Sequence, residues 1–265
     1  MNKKGEVYFN WIFIMIVGAI FLVFFAGFAV KYKDLQEKKN EIIILDNLNT
    51  ALINLQSSSF VTSTNINLPL DVNVACKNKD FIIFINEENK FDYILASKDK
   101  LKNKMYVWYQ PYEIPFRVTN FYYLTDDEGV YLQTDSVEWI NNLILNIPDS
   151  FKNKIHVNQG KGKRIDINGD LNSGVVTIDG TSNPYLGKEM LYAAIFSNNY
   201  TCFYGRVQDE IDNAVLIYKY KASLLSGCGY NNLLSQFESI QSYDDISRIE
   251  QLHRNLISGG CLNLF

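Results

Sequence analysis

Histidine is scarce in this chain of 265 residues: there are two, His156 and His253. Cysteine is limited to Cys76, Cys202, Cys228 and Cys261, and no two of them form a C-x-x-C pair. Zinc sites need closely spaced Cys and His ligands, so this spacing argues against a metal centre. Neither a G-x-x-x-x-G-K-[ST] phosphate loop nor a G-x-S-x-G nucleophile elbow occurs. Long basic blocks are missing and the net charge is −4, which argues against a nucleic-acid partner. The sequence therefore nominates no catalytic residue, no metal ligand and no cofactor.

What is present describes a folded protein. Hydrophobic residues make up 47% and charged residues 20% of the chain, unlike a disordered segment. The mean hydropathy of −0.09 is too low for a polytopic membrane protein, so a membrane segment must be isolated. One such segment stands out. Trp11 to Val30 is a run of 20 residues without a charge. At ~1.5 Å per residue, a helix of this length spans ~30 Å, the thickness of a bilayer's hydrocarbon core. Tyr8, Trp11 and Tyr32 flank it, where amphipathic rings favour the interface. Three readings compete: a cleavable signal with small residues at Gly27-Phe28-Ala29, a plain signal anchor, and a retained pilin-type segment. The apolar run exceeds the ~7–15 residues of a signal h-region, which weighs against the first.

The third reading rests on Met1-Asn2-Lys3-Lys4-Gly5-Glu6, a short basic tail ending in Lys-Gly directly before the apolar helix. This resembles the class III signal peptides of archaeal type IV pilin-like proteins. The resemblance implies cleavage by a prepilin peptidase between Gly5 and Glu6, on the cytoplasmic side, with the helix retained on the mature protein. The fifth residue after that cut is Asn10, where the bacterial pattern has Glu.

Basic residues flank the segment on both sides: Lys3 and Lys4 before it, Lys31, Lys33, Lys38 and Lys39 after it. Counted alone, they place the long domain inside. Long domains translocate largely regardless of charge, however, and the cysteines and the Asn199-Tyr200-Thr201 sequon lean outward. The expected localisation is the cell membrane, single-pass, with the N-terminus cytoplasmic and the C-terminal domain extracytoplasmic.

Beyond the membrane the helix is expected to continue to about Ser57. Leu35, Ile42, Leu45, Leu48, Leu52 and Leu55 form one apolar stripe that seats the domain, and Lys33 and Glu37 form an i,i+4 pair. Ser57-Ser58-Ser59 and Thr62-Ser63-Thr64 break it. Strand signals follow. Phe81 to Ile85 reads as a strand buried on both faces. Residues 104–109, 116–124 and 130–132 are aromatic and β-branched. Pro111 and Pro115 bracket a turn, and Asp126-Asp127-Glu128-Gly129 reads as a hairpin loop. A helix opens at Asp135-Ser136, carries Trp139, Ile140, Leu143, Ile144 and Ile147, and stops at Pro148. Strands at 154–157, 164–167 and 174–178 then permit a βαβ unit. From Lys188 the period is helical: 189–196, 205–225, 230–240 and 244–257, the last capped by Asp244 or Asp245 and ended by Gly259-Gly260.

The long helix at 205–225 spans ~30 Å, whereas bonded cysteines need Cα atoms within ~7 Å, so Cys202 cannot reach Cys228. Two connectivities survive. Cys228 and Cys261 bracket two helices of similar length joined near Ser242, so Cys228–Cys261 and Cys76–Cys202 are predicted.

The remaining motifs have bland readings. Asp166-Ile167-Asn168-Gly169-Asp170-Leu171-Asn172 has calcium-loop spacing, but Leu171 and Thr177 stand where that loop needs Gly and Glu; it reads as a turn. Gln159 to Arg164 is a charged loop leading into a strand. Asp126, Asp127 and Glu128 are adjacent, and such acids are usually solvated rather than paired across a site. His156 reads as a structural histidine and His253 as a surface one. Tyr106, Trp108, Tyr109, Tyr112, Phe121, Tyr122 and Tyr123 supply a sheet core, and any exposed remainder an interaction face.

The sequence thus predicts an α/β or α+β protein: a cytoplasmic tail (1–10), a transmembrane helix (11–30), a stalk helix (31–57), a mixed sheet domain (58–187) and a C-terminal helical region (188–265). The expected role is that of a membrane-anchored extracytoplasmic structural or surface protein, which the resemblance at its N-terminus would make pilin-like. Its partners would be the lipid bilayer and other envelope proteins. A membrane-tethered hydrolase and a ligand- or glycan-binding module are the alternatives.

Overall fold

The computed structural model describes residues 3–57, 63–86, 88–225, 228–237 and 243–264. The chain divides into two compact units, Met1–Asp46 and Asn47–Phe265. Helix α1 (Lys3–Ser57) supplies the first unit. From Trp11 to Val30 its large side chains are exposed all round, Phe13 at 63% and Leu22 at 71% among them. It is long and apolar enough to cross a membrane. Lys33 and Glu37 pair at 3.7 Å in full view of solvent, a contact worth a few tenths of a kcal/mol.

The apolar stripe of α1 is buried only in its last turns. Leu35 and Ile42 are exposed, whereas Leu48, Leu52 and Leu55 are buried. The helix ends at Ser57, and the Ser58–Thr62 part of the expected break lies outside the described residues.

Three sheets build the second unit. The central one orders β1 (Ser63–Asn67), β7 (Lys104–Glu113), β8 (Arg117–Asp126) and β5 (Ile94–Ser97). β7 and β8 form a long antiparallel pair, and β5 runs parallel to β8. The second sheet orders β4 (Glu88–Phe91), β3 (Asp80–Phe84), β2 (Val72–Lys77) and β6 (Lys100–Leu101). The third orders β10 (Ile155–Val157), β9 (Val130–Gln133), β11 (Lys163–Gly169), β12 (Ser173–Ile178) and β13 (Thr181–Leu186). Between β9 and β10 run α2 (Val137–Ile144) and α3 (Asp149–Lys152), and the two strands pair in parallel. The permitted βαβ unit is therefore present, within a sheet that is otherwise part antiparallel. The fold class is mixed α/β.

Both faces of the central sheet are covered. Phe121 to Asp126 are all buried on β8, a run that one-sided packing would interrupt at every second residue. On one face Tyr122 contacts Tyr93 and Tyr109, and its hydroxyl lies 3.4 Å from the Leu52 carbonyl in the last turns of α1. On the other, Trp108, Tyr123, Phe151, Tyr192 and Phe196 form one ring cluster. Helix α4 (Lys188–Phe196) provides Tyr192 and Phe196 and is buried from Met190 to Phe196. The crowded aromatics of β7 and β8 are thus core, and only Tyr106 among them is wetter than Gln110's neighbours, half-buried at the end of the strand.

Helix α5 (Tyr200–Leu224) packs on β5, β8 and β2 and then carries the C-terminal cluster. There α6 (Tyr230–Phe237) and α7 (Tyr243–Ser258) bury Tyr230, Leu233, Leu234 and Ile249 against Ala214 and Val215. α6 and α7 hold 8 and 16 described residues; the expected junction near Ser242 lies outside the described residues, as do 238–241. Asp244 and Asp245 sit inside the first turn of α7 rather than before it. Gly260, at φ +89°, ends the helix, and the Cys261 N–H returns to the Leu256 carbonyl.

Several expectations change on contact with the fold. Phe81 to Phe84 is a strand, but its burial alternates, because the hairpin sheet it belongs to has one covered face. Pro111 lies inside β7; the turn is confined to Ile114–Phe116. Among the described residues, β1 pairs with Lys104–Trp108, short of Pro111. Asp127-Glu128 does not close a hairpin. β8 and β9 belong to different sheets, so the turn carries the chain from one to the other. His253 is buried, not superficial. The C-terminal residues fold back over it, and its Nε2 accepts the Leu264 N–H at 3.3 Å. Burial, then the nearby Lys221 ammonium, holds its pKa below the usual histidine value.

Cysteines 76 and 202 are joined, with Cα atoms 6.3 Å apart, as are 228 and 261, at 6.0 Å. The second bond closes 33 residues around the C-terminal cluster. Chain-entropy arithmetic gives such a loop ~3–4 kcal/mol. Replacing Cys228 and Cys261 together by Ser is expected to lower the stability of α6 and α7 by about that amount, while β7 and β8 keep their protection. Hydrogen exchange resolved by segment checks this; uniform loss across the sheet would contradict it.

Candidate functional site

A cavity of about 330 Å³ with mixed chemistry lies between β2, β3 and the end of β5, beside the Cys76–Cys202 bond. Its formation follows from local structure. β2 and β3 make a two-residue hairpin through Asn78 and Lys79, both at positive φ (52° and 69°). That is the type I′ geometry, which suits the twist of paired strands. Alternation along β2 sends Val72 and Val74 into the core and leaves Asn73 and Ala75 half-buried. The Lys79 ammonium reaches Asp209 on α5 at 2.6 Å, and Cys76 bonds Cys202 in the first turn of the same helix. The hairpin is thereby fastened to α5 at two points.

The other wall is the α4–α5 connection. Asn198 N–H donates to the Ser97 carbonyl at the end of β5 (3.0 Å), and its side-chain amide donates to Asp99 Oδ2 at 3.2 Å. Asn199 caps α5, its Oδ1 accepting the Cys202 N–H at 3.1 Å. The sequon's asparagine is therefore a helix cap and part of the cavity wall, and Thr201 Oγ1 accepts from Asn183. Apolar wall comes from Val74, Phe81, Phe84 and Leu95.

Lys163 stands behind this wall. Its Nζ donates to the Ser197 carbonyl at 2.6 Å. The residue as a whole is half-buried, but its ammonium end is enclosed. Desolvation pulls the pKa down to about 7, against the opposing pull of Asp179 and Asp99. Gln159–Arg164 is accordingly no phosphate cradle: it leads into β11 and its Lys163 turns inward.

The acid triplet occupies a separate place and is not uniformly solvated. Asp126 is completely buried. It accepts the N–H groups of Lys102 (2.9 Å), Glu128 (3.0 Å) and Gly129 (3.2 Å) and meets the Lys98 ammonium at 2.6 Å. Asp127 is held below the usual carboxylate range by Lys154, at 2.9 Å, and by the Tyr106 hydroxyl, at 2.8 Å. Glu128 is lowered chiefly by Lys102, with Lys98 adding to it. Each acid is matched by a lysine, so the three brace the β8–β9 turn. The calcium-like segment is also a turn. Asp170 Oδ1 accepts from Asn172 N–H (2.7 Å) and Ser173 N–H (3.0 Å), which lowers its pKa. Gly169 belongs there because a Cβ would lie 2.4 Å from the Ser173 carbonyl oxygen. His156 stacks on Tyr131, its partner across β9–β10, at 4.6 Å. Among the described residues no cluster of three or more His, Cys, Asp or Glu could hold a metal ion.

The structure brings Cys76 and Cys202 to the cavity and keeps Cys228 and Cys261 at the C-terminal cluster; Gly5 and Glu6 lie within α1. Asn73, Ser97, Asp99 and Ser197 carried no signal in the sequence, because they arrive from separate segments with no shared spacing. Asn199 stood out in the sequence only as part of a sequon, because the helix it caps begins at Tyr200, five residues before the expected 205.

Lys163 also sets a pH dependence. Its folded pKa lies below the unfolded value of 10.5, so between about 7 and that value the unfolded chain binds more protons. Stability should therefore rise with pH across this window, and Lys163→Met should flatten that rise relative to wild type. Paired denaturation curves at the two ends of the window check it; an equal pH slope in both proteins would refute it. Comparison with protein-family models, with curated proteins and with solved structures finds no match for this chain.

Proposed function

We propose that the protein is an extracytoplasmic surface protein held in the cell membrane by a single helix, Trp11–Val30, with its N-terminus in the cytoplasm. The observation that carries this reading is the exposed apolar surface of α1, from Trp11 to Val30, joined in one chain to a domain with two disulfides. Twenty uncharged residues facing water on every side lose far more than the same residues in lipid, at ~25 cal/mol per Å² of apolar surface. Disulfides persist in oxidising compartments, which supports the outward placement of Asn47–Phe265. The role is structural or adhesive, with the lipid bilayer and neighbouring envelope proteins as partners.

We further propose pilin-like processing between Gly5 and Glu6. The basic Lys3-Lys4-Gly5 tail before the apolar helix supports it. Two carboxylates from separate elements facing one cavity would favour a hydrolase; among the described residues that line the cavity beside Cys76, Asp99 is the carboxylate. That same cavity favours a second reading, a ligand-binding module on the anchored domain.

Membrane fractionation should leave the full-length protein in the pellet after alkaline washing and release it only with detergent. Cysteine labelling of intact cells with an impermeant reagent should succeed only after reduction. N-terminal sequencing should return Glu6 as the first residue. A soluble protein, or thiols that label without reductant from the cytoplasmic side alone, would overturn the anchored reading; a mature chain starting at Met1 or Val30 would overturn the processing.

A further inference from the structure

The cavity beside the Cys76–Cys202 bond has wall chemistry that narrows what it can hold. Its polar groups spend part of their hydrogen-bonding capacity on the protein and keep part of it. Asp99 uses Oδ2 on Asn198, leaving Oδ1 as an acceptor. Asn199 uses Oδ1 on the Cys202 N–H, leaving its amide N–H groups as donors. The Ser197 hydroxyl oxygen accepts the Asn199 N–H, leaving its own proton to donate. Acceptors and donors are thus mixed over a short stretch of wall. Only a partner that can both donate and accept, such as a hydroxyl, meets all of them.

Charge narrows the choice further. Asn199 opens a helix of 25 residues, whose N-terminal N–H groups bear partial positive charge. The Lys163 amine lies behind Ser197. A cation would meet Asp99 but face both of these, and an anion would meet both but face the Asp99 carboxylate, so neither charge is matched by the whole wall. A neutral molecule meets neither penalty. Phe81, Phe84 and Leu95 give it an apolar surface to lie against. The volume, about 330 Å³, is at the small end of the ~300–1,000 Å³ of small-molecule sites, room for one ring rather than a chain.

We propose that this cavity binds a neutral, hydroxyl-rich small molecule with one apolar face, in chemical terms a single sugar residue. Asp99 accepts from its hydroxyls, Asn199 and Ser197 donate to them, and its C–H face lies against Phe84. Such a residue can arrive as a free saccharide or as the end of a surface glycan; the chemistry recognised is the same.

The test uses the full chain with both disulfides, in a detergent without a sugar headgroup. Methyl glycosides of glucose, galactose, mannose and N-acetylglucosamine are titrated by saturation-transfer NMR and calorimetry, with choline and inorganic phosphate as charged probes. Immobilised oligosaccharides carrying the same terminal residues form a second arm. At least one glycoside should bind with a Kd near ~1 mM, as befits a one-ring ligand. Asp99→Asn should weaken it about tenfold or more, a loss of ~1.4 kcal/mol. Ala75→Phe, which fills the cavity, should abolish it, with the melting transition and both disulfides retained. In the wild-type protein, nuclear Overhauser contacts should run from sugar C–H protons to the Phe84 ring, a readout that needs no variant. Tighter binding in the immobilised arm identifies a glycan end; equal binding identifies a free saccharide. The proposal is overturned if no glycoside binds at ~10 mM, tenfold above that Kd, if a charged probe binds more tightly, or if Ala75→Phe folds and binds unchanged.

Discussion

Burial of the β7–β8 pair on both faces is the constraint on which the second unit depends. A strand in an antiparallel pair ordinarily alternates between core and solvent. Here Phe121 to Asp126 are buried without a break, because α1's last turns cover one face and α4 the other. Large aromatics suit such a layer: each ring removes ~150–250 Å² from water, several kcal/mol at the usual conversion. Two of their hydroxyls find partners in the backbone. Tyr123 donates to the Glu189 carbonyl at 2.9 Å and Tyr112 to the Leu186 carbonyl at 3.1 Å. Burial pushes both phenols well above the ordinary tyrosine pKa, so they remain neutral donors.

The same layer explains α4. A helix buried from Met190 to Phe196 has no polar face to offer solvent, and it packs on β5, β8, β9, β12 and β13 together. Its one acid, Glu189, is the exception that the fold accommodates. Desolvation raises its pKa, and Gln110 donates to its Oε1 at 2.8 Å. Because α4 takes up the space over β8, the next helix must start at the sheet's end. The Asn198–Asn199 connection and the Cys76–Cys202 bond fix that start, and the cavity is the gap left between helix and hairpin.

Polar groups in this protein serve mainly to hold such junctions. Asp126 would be costly to bury alone, since an uncompensated buried charge costs several kcal/mol. Three backbone N–H groups and the Lys98 ammonium compensate it, and the turn between two sheets is rigid as a result. Reading three acids in a row could not reveal this. Solvation of a carboxylate depends on what the neighbouring strands bring to it, and Lys98 and Lys102 come from the segment that follows β5.

The amino-acid order alone determined what depends on near neighbours: the uncharged run of α1, a helix between Asp135 and Pro148, the long helix at 205–225, which the fold extends back to Tyr200, and from its length the exclusion of a Cys202–Cys228 bond. Local periodicity and rise per residue suffice for these. Tertiary structure decided what depends on which face is covered. It placed Ile82 and Phe84 on a half-wet face, kept Pro111 inside β7, buried His253 under the C-terminus and left Leu35 and Ile42 of the α1 stripe exposed. It also gathered Asn73, Asp99 and Ser197 around one cavity from segments more than 20 residues apart. Burial is a property of contacts between distant segments, and the free energy of covering a surface leaves no periodic trace in the order of residues that cover it.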